Sequence, residues 1–131
     1  MRTDLRLAIA NRPGTLARAC DVLAEAGVHV EGVSGDLRPG EKWGYVHVLV
    51  DDSAKAHAAL DKAGIEVIGE HRVELVEIPP GDVNLGEIVT SYTGPERNME
   101  VFYPTLDGRL AIGTEDMRAD RPGVRMGDAR Y

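Results

Sequence analysis

The sequence predicts an α+β fold in which a four-stranded antiparallel sheet carries two helices on one face. The opening segment alternates between apolar and polar residues, two later segments have helical spacing, and extended segments flank both of them. The resulting order is βαββαβ over residues 4–77, which with right-handed crossovers describes a ferredoxin-like plait. We assign this plait to a domain of residues 1–78, followed by an extension of residues 79–131.

The first strand and helix have the clearest pattern. Leu5, Leu7 and Ile9 fall on one face of the first strand, at the period of a half-buried strand. Pro13 suits the first position of a helix, apolar residues then recur at helical spacing, and Gly27 is a natural end.

The remaining elements are a pair of strands, a second helix and a last strand. The pair is predicted at residues 28–37 and 43–50, with a turn rich in Pro and Gly between them. Asp52 and its neighbours offer capping oxygens to a helix that ends before Gly64. Residues 66–77 then alternate as the fourth strand.

The sheet face opposite the helices carries apolar residues. Alternation along the third strand directs its valines to the helices. The opposite face then holds Trp43, Tyr45, His47 and Leu49, together with Arg6, His29 and Glu31 from neighbouring strands. Apolar patches usually mark an interface, so we predict that Trp43, Tyr45 and His47 are covered by a partner subunit or by the chain's own tail.

The extension differs in character from the plait. Residues 85–92 predict a short helix, and residues 99–114 predict a hairpin around an Asp-Gly turn. The polar end of the chain is expected to be mobile. Its Asp-Arg-Pro-Gly sequence, residues 120–123, resembles Asn-Arg-Pro-Gly at residues 11–14, but no helix can follow it, so we interpret the likeness as chance.

Composition and motifs disfavour several classes of function. The formal net charge is -7 without basic runs, which disfavours nucleic acid and anionic membranes as partners. No apolar run is long enough to span a bilayer, so a soluble, cytoplasmic protein is expected. The four histidines lack metal-ligand spacing, and the single cysteine, Cys20, fits a buried core position of the first helix. We therefore predict no catalytic residue, no metal and no cofactor.

One loop and its flanking elements resemble an ACT domain. The resemblance rests on the Asn-Arg-Pro-Gly loop of residues 11–14, a helix with Leu16 and Leu23 at two family positions, and a Gly-Val-His-Val entry into the second strand at residues 27–30. It covers about residues 4–77. The resemblance implies a regulatory module that senses a small amino acid, forms a homodimer, and binds the effector at the interface against this loop.

The residues of the loop suit such a ligand. Gly14 has no side chain to block approach, the first N–H groups of the helix suit a carboxylate, and the Asn11 amide can donate or accept. The expected ligand-binding residues are Asn11, Pro13, Gly14, Thr15 and Leu16 from the loop, with Glu31 and Ser34 from the second strand on the partner side. Alternatively, Asn11, Pro13 and Gly14 serve only as a cap, a turn and a close-packing position.

Three functional hypotheses remain. The first is a standalone ACT-type regulatory protein that binds a small amino acid or related carboxylate at a homodimer interface and signals to a partner. The second is an interaction module that docks a partner enzyme and binds no ligand. The third and weakest is a small enzyme that uses the open sheet face, with His29 or His47 as base.

Overall fold

The computed structural model describes residues 2–94 and 97–114 of the chain. Its first six elements follow the predicted order βαββαβ, and a shorter series, βαββ, comes after them. The elements are β1 (Thr3–Ala10), α1 (Thr15–Glu25), β2 (Val30–Asp36), β3 (Trp43–Val50), α2 (Ser53–Lys62), β4 (Glu66–Arg72), β5 (Glu74–Val76), α3 (Leu85–Thr93), β6 (Val101–Pro104) and β7 (Leu110–Gly113).

A four-stranded antiparallel sheet in the order β2-β3-β1-β4 forms the centre of the first unit. Helices α1 and α2 cover one of its faces, which confirms the predicted plait. Every second residue of β1 and β3 points to the helices, and these residues supply half of the core. The core contains Leu5, Leu7, Ile9, Ala19, Leu23, Val28, Val46, Val48, Val50, Ala56, Leu60 and Ile65.

A second sheet, in the order β5-β7-β6, lies against the opposite face of the first. Strands β6 and β7 pair antiparallel and confirm the predicted hairpin. Their turn contains Gly108 at a φ of 85°, a backbone conformation that favours glycine. A smaller apolar core joins the two sheets and contains Leu49, Val73, Val101, Tyr103 and Ala111.

The predicted fourth strand is in fact two strands. Alternation predicts one strand over residues 66–77, but β4 ends at Arg72 and β5 begins at Glu74. The first sheet offers no further partner there, because Arg72 pairs with Thr3, the first residue of β1. Val73 packs its side chain into the smaller core, and β5 joins the second sheet.

Part of the extension lies outside the described residues. The chain end beyond Glu115, for which a mobile segment is expected, and the Asp-Arg-Pro-Gly sequence at residues 120–123 both belong to that part. Within residues 2–94 and 97–114, no helix combines the length and apolar character needed to cross a membrane.

Candidate functional site

The loop between β1 and α1 is attached to the turn between β2 and β3. The Asn11 amide nitrogen Nδ2 donates to the carbonyl oxygens of Arg38 at 2.6 Å and Glu41 at 2.9 Å. The backbone N–H of Asn11 donates to the carbonyl oxygen of Lys42 at 2.9 Å. Both amide protons of Asn11 are thus used within the chain. Its Oδ1 has no donor among the described residues and is the atom left for a ligand.

Helix α1 begins without a side-chain cap, unlike the other two helices. Asp52 accepts a hydrogen bond from the Lys55 N–H at the start of α2. Asn84 does the same for the Glu87 N–H at the start of α3. At α1 the cap position is Gly14, with a φ of 89°, and no described heavy atom lies within 4 Å of where its Cβ would be. The Thr15 N–H donates to the carbonyl oxygen of Arg12 at 3.4 Å, whereas the N–H groups of Leu16 and Ala17 have no acceptor among the described residues and are open to an anionic group.

The other predicted loop residues shape the start of this helix. The Thr15 hydroxyl donates to the carbonyl oxygens of Ala10 at 2.6 Å and Arg12 at 3.0 Å. Leu16 packs against the core beneath the helices, and Pro13 is exposed. Thr15 and Leu16 thus use their side chains for local structure and can offer a ligand their backbone only.

Glu31 and Ser34 do not meet the loop within one copy. Glu31 accepts a hydrogen bond from Arg2 Nε at 2.8 Å, near the start of β1, whereas Asn11 follows the end of β1. The 8 residues of this strand span about 26 Å. Ser34 lies opposite His47, between these two ends. One copy therefore assembles only the loop part of the predicted site.

The predicted interface residues have two different environments. Trp43 is 55% exposed and Tyr45 is half-buried, at an end of the sheet face that we call the bare half. The second sheet covers the other end, the covered half, which contains Asp4, Leu49 and His71. His47 lies between the two halves. The described part of the extension, residues 79–94 and 97–114, therefore covers part of the face and leaves Trp43 exposed.

A buried polar cluster joins the two sheets at the covered half. This Asp4 cluster consists of Asp4, His47, His71, Glu100 and Tyr103. Asp4 is fully buried and accepts hydrogen bonds from the Tyr103 hydroxyl at 2.6 Å and from His47 Nδ1 at 2.8 Å. His71 Nδ1 lies 3.2 Å from Asp4, and His71 Nε2 lies 2.9 Å from the Glu100 carboxylate. The cluster thus links β1, β3 and β4 to β6.

Neighbouring groups set the protonation of this cluster. Arg6 donates from Nε to His47 Nε2 at 3.3 Å, so His47 carries its proton on Nδ1, facing Asp4. Burial acts to raise the pKa of Asp4, but hydrogen bonds from His47 and His71 outweigh it and hold that pKa below its usual value. Burial and the Asp4 charge raise the pKa of Tyr103. Asp4 is therefore a carboxylate beside a neutral Tyr103 hydroxyl.

Sequence reasoning missed the Asp4 cluster, although one signal was present. Asp4 stands in a strand on the face away from the helices, and a carboxylate in a sheet that becomes covered needs partners. Those partners lie far along the chain, at residues 47, 71 and 103. No group of three His, Cys, Asp or Glu residues in the described ranges is arranged to hold a metal ion.

Comparison with known proteins identifies the fold. No protein-family model and no curated protein matches the chain. Among solved structures, protein BT0572 from Bacteroides thetaiotaomicron aligns with a TM-score of 0.65 and 18% identity, over 90% of this chain and 81% of its own. The regulatory subunit of aspartate kinase from Thermus thermophilus, in its ligand-free form, aligns with a TM-score of 0.60 and 20% identity, over 86% and 82%. The subunit from Thermus flavus aligns with a TM-score of 0.54 and 19% identity, over the same shares. The chain therefore has the fold of these regulatory subunits.

Proposed function

We propose that this chain is an ACT-type regulatory protein of the cytoplasm that binds a small amino acid or related carboxylate at a homodimer interface. The observation that carries the proposal is the open start of α1, where Gly14 leaves uncapped N–H groups near Asn11. The N–H groups suit a carboxylate, and Asn11 Oδ1 suits an ammonium. The fold shared with regulatory subunits of aspartate kinase supports a regulatory role.

A second copy would complete this loop site through β2. Strand β2 is an edge of the first sheet, and antiparallel pairing with another β2 sets the end of one strand beside the start of the other. The turn that Asn11 holds follows that end. Such pairing brings the second copy's Ser34 and Glu31 towards the loop. Glu31 is already bonded to Arg2, so Ser34 is the freer of the two.

The bare half of the sheet face borders the same loop. Trp43 pairs with Ala10, the residue directly before Asn11. Burial of the exposed Trp43 ring by a second copy would therefore place the interface beside the ligand. Occupancy of the loop site and the strength of the dimer would then be linked, which is how the protein would signal to a partner.

Thermal unfolding with each common amino acid tests the loop site. A ligand at about 100 times its Kd stabilises the folded state by about 2.7 kcal/mol. Gly14→Ala places a methyl group where the ligand approaches. Gly64→Ala is the matched control, because Gly64 has a φ of 74° and equally open surroundings after α2. Both variants should lose about 1 kcal/mol through backbone strain, but only Gly14→Ala should lose the ligand shift. The proposal is wrong if no amino acid shifts the wild type at millimolar concentration, or if Gly14→Ala keeps the full shift.

A second candidate function is an interaction module that docks a partner enzyme. Two observations favour it: the Asn11 amide group donates both protons to the β2–β3 turn and so has none for a ligand, and Trp43 is exposed. In that case no amino acid changes the unfolding temperature in a way that Gly14→Ala abolishes, and Trp43→Ser removes docking while the fold persists. We propose no catalytic step, because His47 uses one ring nitrogen for Asp4 and the other for Arg6.

A further inference from the structure

A cavity lies where the hairpin turn meets the start of β2, at the opposite end of β1 from the loop site. Its volume is about 480 Å³, within the range of about 300–1,000 Å³ that is typical of small-molecule sites. We call it the junction cavity, because it lies between the first unit and the hairpin turn. Its lining includes Arg2, His29 and Glu31 from the first unit and Leu106, Asp107 and Arg109 from the turn.

Two arginines of the junction cavity are held in place by carboxylates. Glu31 accepts from Arg2 Nε at 2.8 Å, and Asp107 accepts from Arg109 Nε at 3.0 Å and Nη2 at 2.7 Å. Among the described residues, these contacts leave both Nη groups of Arg2 and the Nη1 of Arg109 for a ligand. Hydrogen bonding to Glu31 raises the pKa of Arg2 against the effect of burial. Both arginines line the same cavity.

The balance of charge in the cavity favours a zwitterion. Two guanidinium groups are matched by the carboxylates of Glu31 and Asp107, so these groups carry no net charge. The Asp51 carboxylate adds to these groups, because it accepts a hydrogen bond from the backbone N–H of His29, which also lines the cavity, at 3.0 Å. A dianion would be repelled by these carboxylates, and a simple cation would be repelled by the two arginines. A ligand with one carboxylate and one ammonium can satisfy both sets of groups.

An aliphatic side chain at the rim narrows the class of ligand further. Leu106 is 77% exposed, yet its backbone N–H donates to the Glu31 carbonyl oxygen at 2.8 Å. Its position is therefore fixed, although most of its apolar surface faces water. Val30 adds a second aliphatic group to the lining. Together they favour a ligand with an aliphatic side chain.

We propose that the junction cavity binds a free α-amino acid with an aliphatic side chain. The carboxylate lies between Arg2 and Arg109, the ammonium faces Glu31 and Asp107, and the side chain contacts Leu106. This site is separate from the loop site and does not depend on it. Because its walls come from the first unit and from the hairpin turn, a bound ligand ties the hairpin to the plait.

Nuclear magnetic resonance titration of the full chain tests the junction cavity. L-Leucine is the zwitterionic probe, and acetate, isopentylamine and succinate present the carboxylate, the ammonium and the dianion alone. We expect leucine to shift the backbone amide signals of Leu106 and Arg109, and the other probes to bind at least about tenfold more weakly because they lack one set of charged hydrogen bonds. Equally tight binding of acetate would overturn the proposal.

Three variants locate the binding. Arg2→Gln and Arg109→Gln should each weaken leucine binding by at least about tenfold, because each removes a charged donor. Arg38→Gln is the control, since it breaks an arginine–carboxylate pair with Asp36, at 3.1 Å, that is more exposed and lies outside the cavity. Unchanged affinity in both cavity variants would overturn the proposal.

Gly14→Ala separates the junction cavity from the loop site. Shifts at Leu106 and Arg109 that survive Gly14→Ala support the junction cavity, whatever happens at the loop. Leucine-induced shifts confined to residues 11–16 would overturn the junction cavity and leave the proposed function standing. Absence of any shift in the wild type at millimolar leucine would also overturn it.

Discussion

The covered half and the bare half belong to one face of one sheet, and the same strands, β1 and β3, supply both. At the covered half, Asp4, Leu49 and His71 are buried beneath the second sheet. At the bare half, Trp43 is 55% exposed and Tyr45 is half-buried. The two halves differ because of where the second sheet packs, since the alternation of the strands is the same in both.

The difference teaches that an apolar face alone does not determine what covers it. A shift of one residue in the pairing of β6 would turn Tyr103 to the other face of the second sheet. Asp4 would then stay buried without that donor, at a cost in free energy. We infer that the Asp4 cluster selects one position of the second sheet, which the apolar contacts of Leu49 and Val73 alone would not do.

Truncation after Pro80 would remove β6 and β7 and expose the covered half. Of the changes considered, it should lower the free energy of unfolding most. Leu49 and Val73 would each lose about 1.5–3 kcal/mol of burial. Asp4 would lose the hydrogen bond from Tyr103, worth about 1.5–3 kcal/mol for a charged acceptor. The free energy of unfolding should fall by roughly 5–9 kcal/mol, most of the stability of a small domain. Urea unfolding of both chains measures this, and equal midpoints would show that the second sheet adds no stability.

Asp4→Ala should have the next largest effect, because it removes the acceptor of the cluster and leaves both apolar cores in place. The buried donors of His71 and Tyr103 and the partly buried donor of His47 would lose their partner, so the free energy of unfolding should fall by about 3–5 kcal/mol. Asp36→Ala is the control, since it removes an exposed carboxylate, and it should cost about 1 kcal/mol or less. Urea unfolding at neutral pH compares the two. Similar losses would mean that the cluster does not fix the covered half.

The features that could be predicted from the sequence depend on residues close together in the chain. The prediction that Pro13 takes the first position of α1 is wrong by two residues, because α1 begins at Thr15 after its cap Gly14. The alternation of β1 and the stop at Gly27 after α1 nevertheless follow from patterns of a few residues. The hairpin of β6 and β7 likewise follows from the Asp107-Gly108 turn between two apolar runs. The fold class and the open start of α1 were therefore accessible to sequence reasoning.

The features that sequence reasoning missed depend on pairing register. The Asp4 cluster combines residues that meet only when β1 pairs with β3 and β4 and the second sheet packs over them. The break at Val73 depends on where β1 begins, because Thr3 is the last partner of β4. The use of Asn11 to hold the β2–β3 turn depends on how that turn folds back. None of these is encoded in a local pattern.

Tyr103→Phe removes one hydroxyl from the covered half and should cost about 1.5–3 kcal/mol at neutral pH. The pKa of Tyr103 is raised in the folded state, so its contribution is complete below the pKa of an unfolded tyrosine, about 10, and is lost as the pH rises above it. The wild type should therefore lose stability more steeply than Tyr103→Phe above a pH of about 10. Tyr45→Phe on the bare half should stay within about 0.5 kcal/mol of the wild type at neutral pH. Denaturation at several pH values measures both effects. If the free energy of unfolding changes with pH in the same way for the wild type and Tyr103→Phe, the hydrogen bond from Tyr103 to Asp4 does not contribute as proposed.

Trp43→Ser should have the smallest effect on the stability of one copy, about 1 kcal/mol or less, because more than half of Trp43 is exposed on the bare half. Leu49→Ala is its counterpart on the covered half and should cost about 2–5 kcal/mol through the cavity that it leaves. If the bare half is the dimer interface, the effects of the two variants on association have the opposite order. Trp43→Ser then weakens the dimer more than Leu49→Ala does, because Trp43 would be an anchor of the contact. Sedimentation velocity over a range of concentrations measures this: Trp43→Ser should shift the protein towards monomer, and folded Leu49→Ala should not. A dimer that persists unchanged in Trp43→Ser would place the interface elsewhere, and the exposed tryptophan would then mark the surface for a different partner.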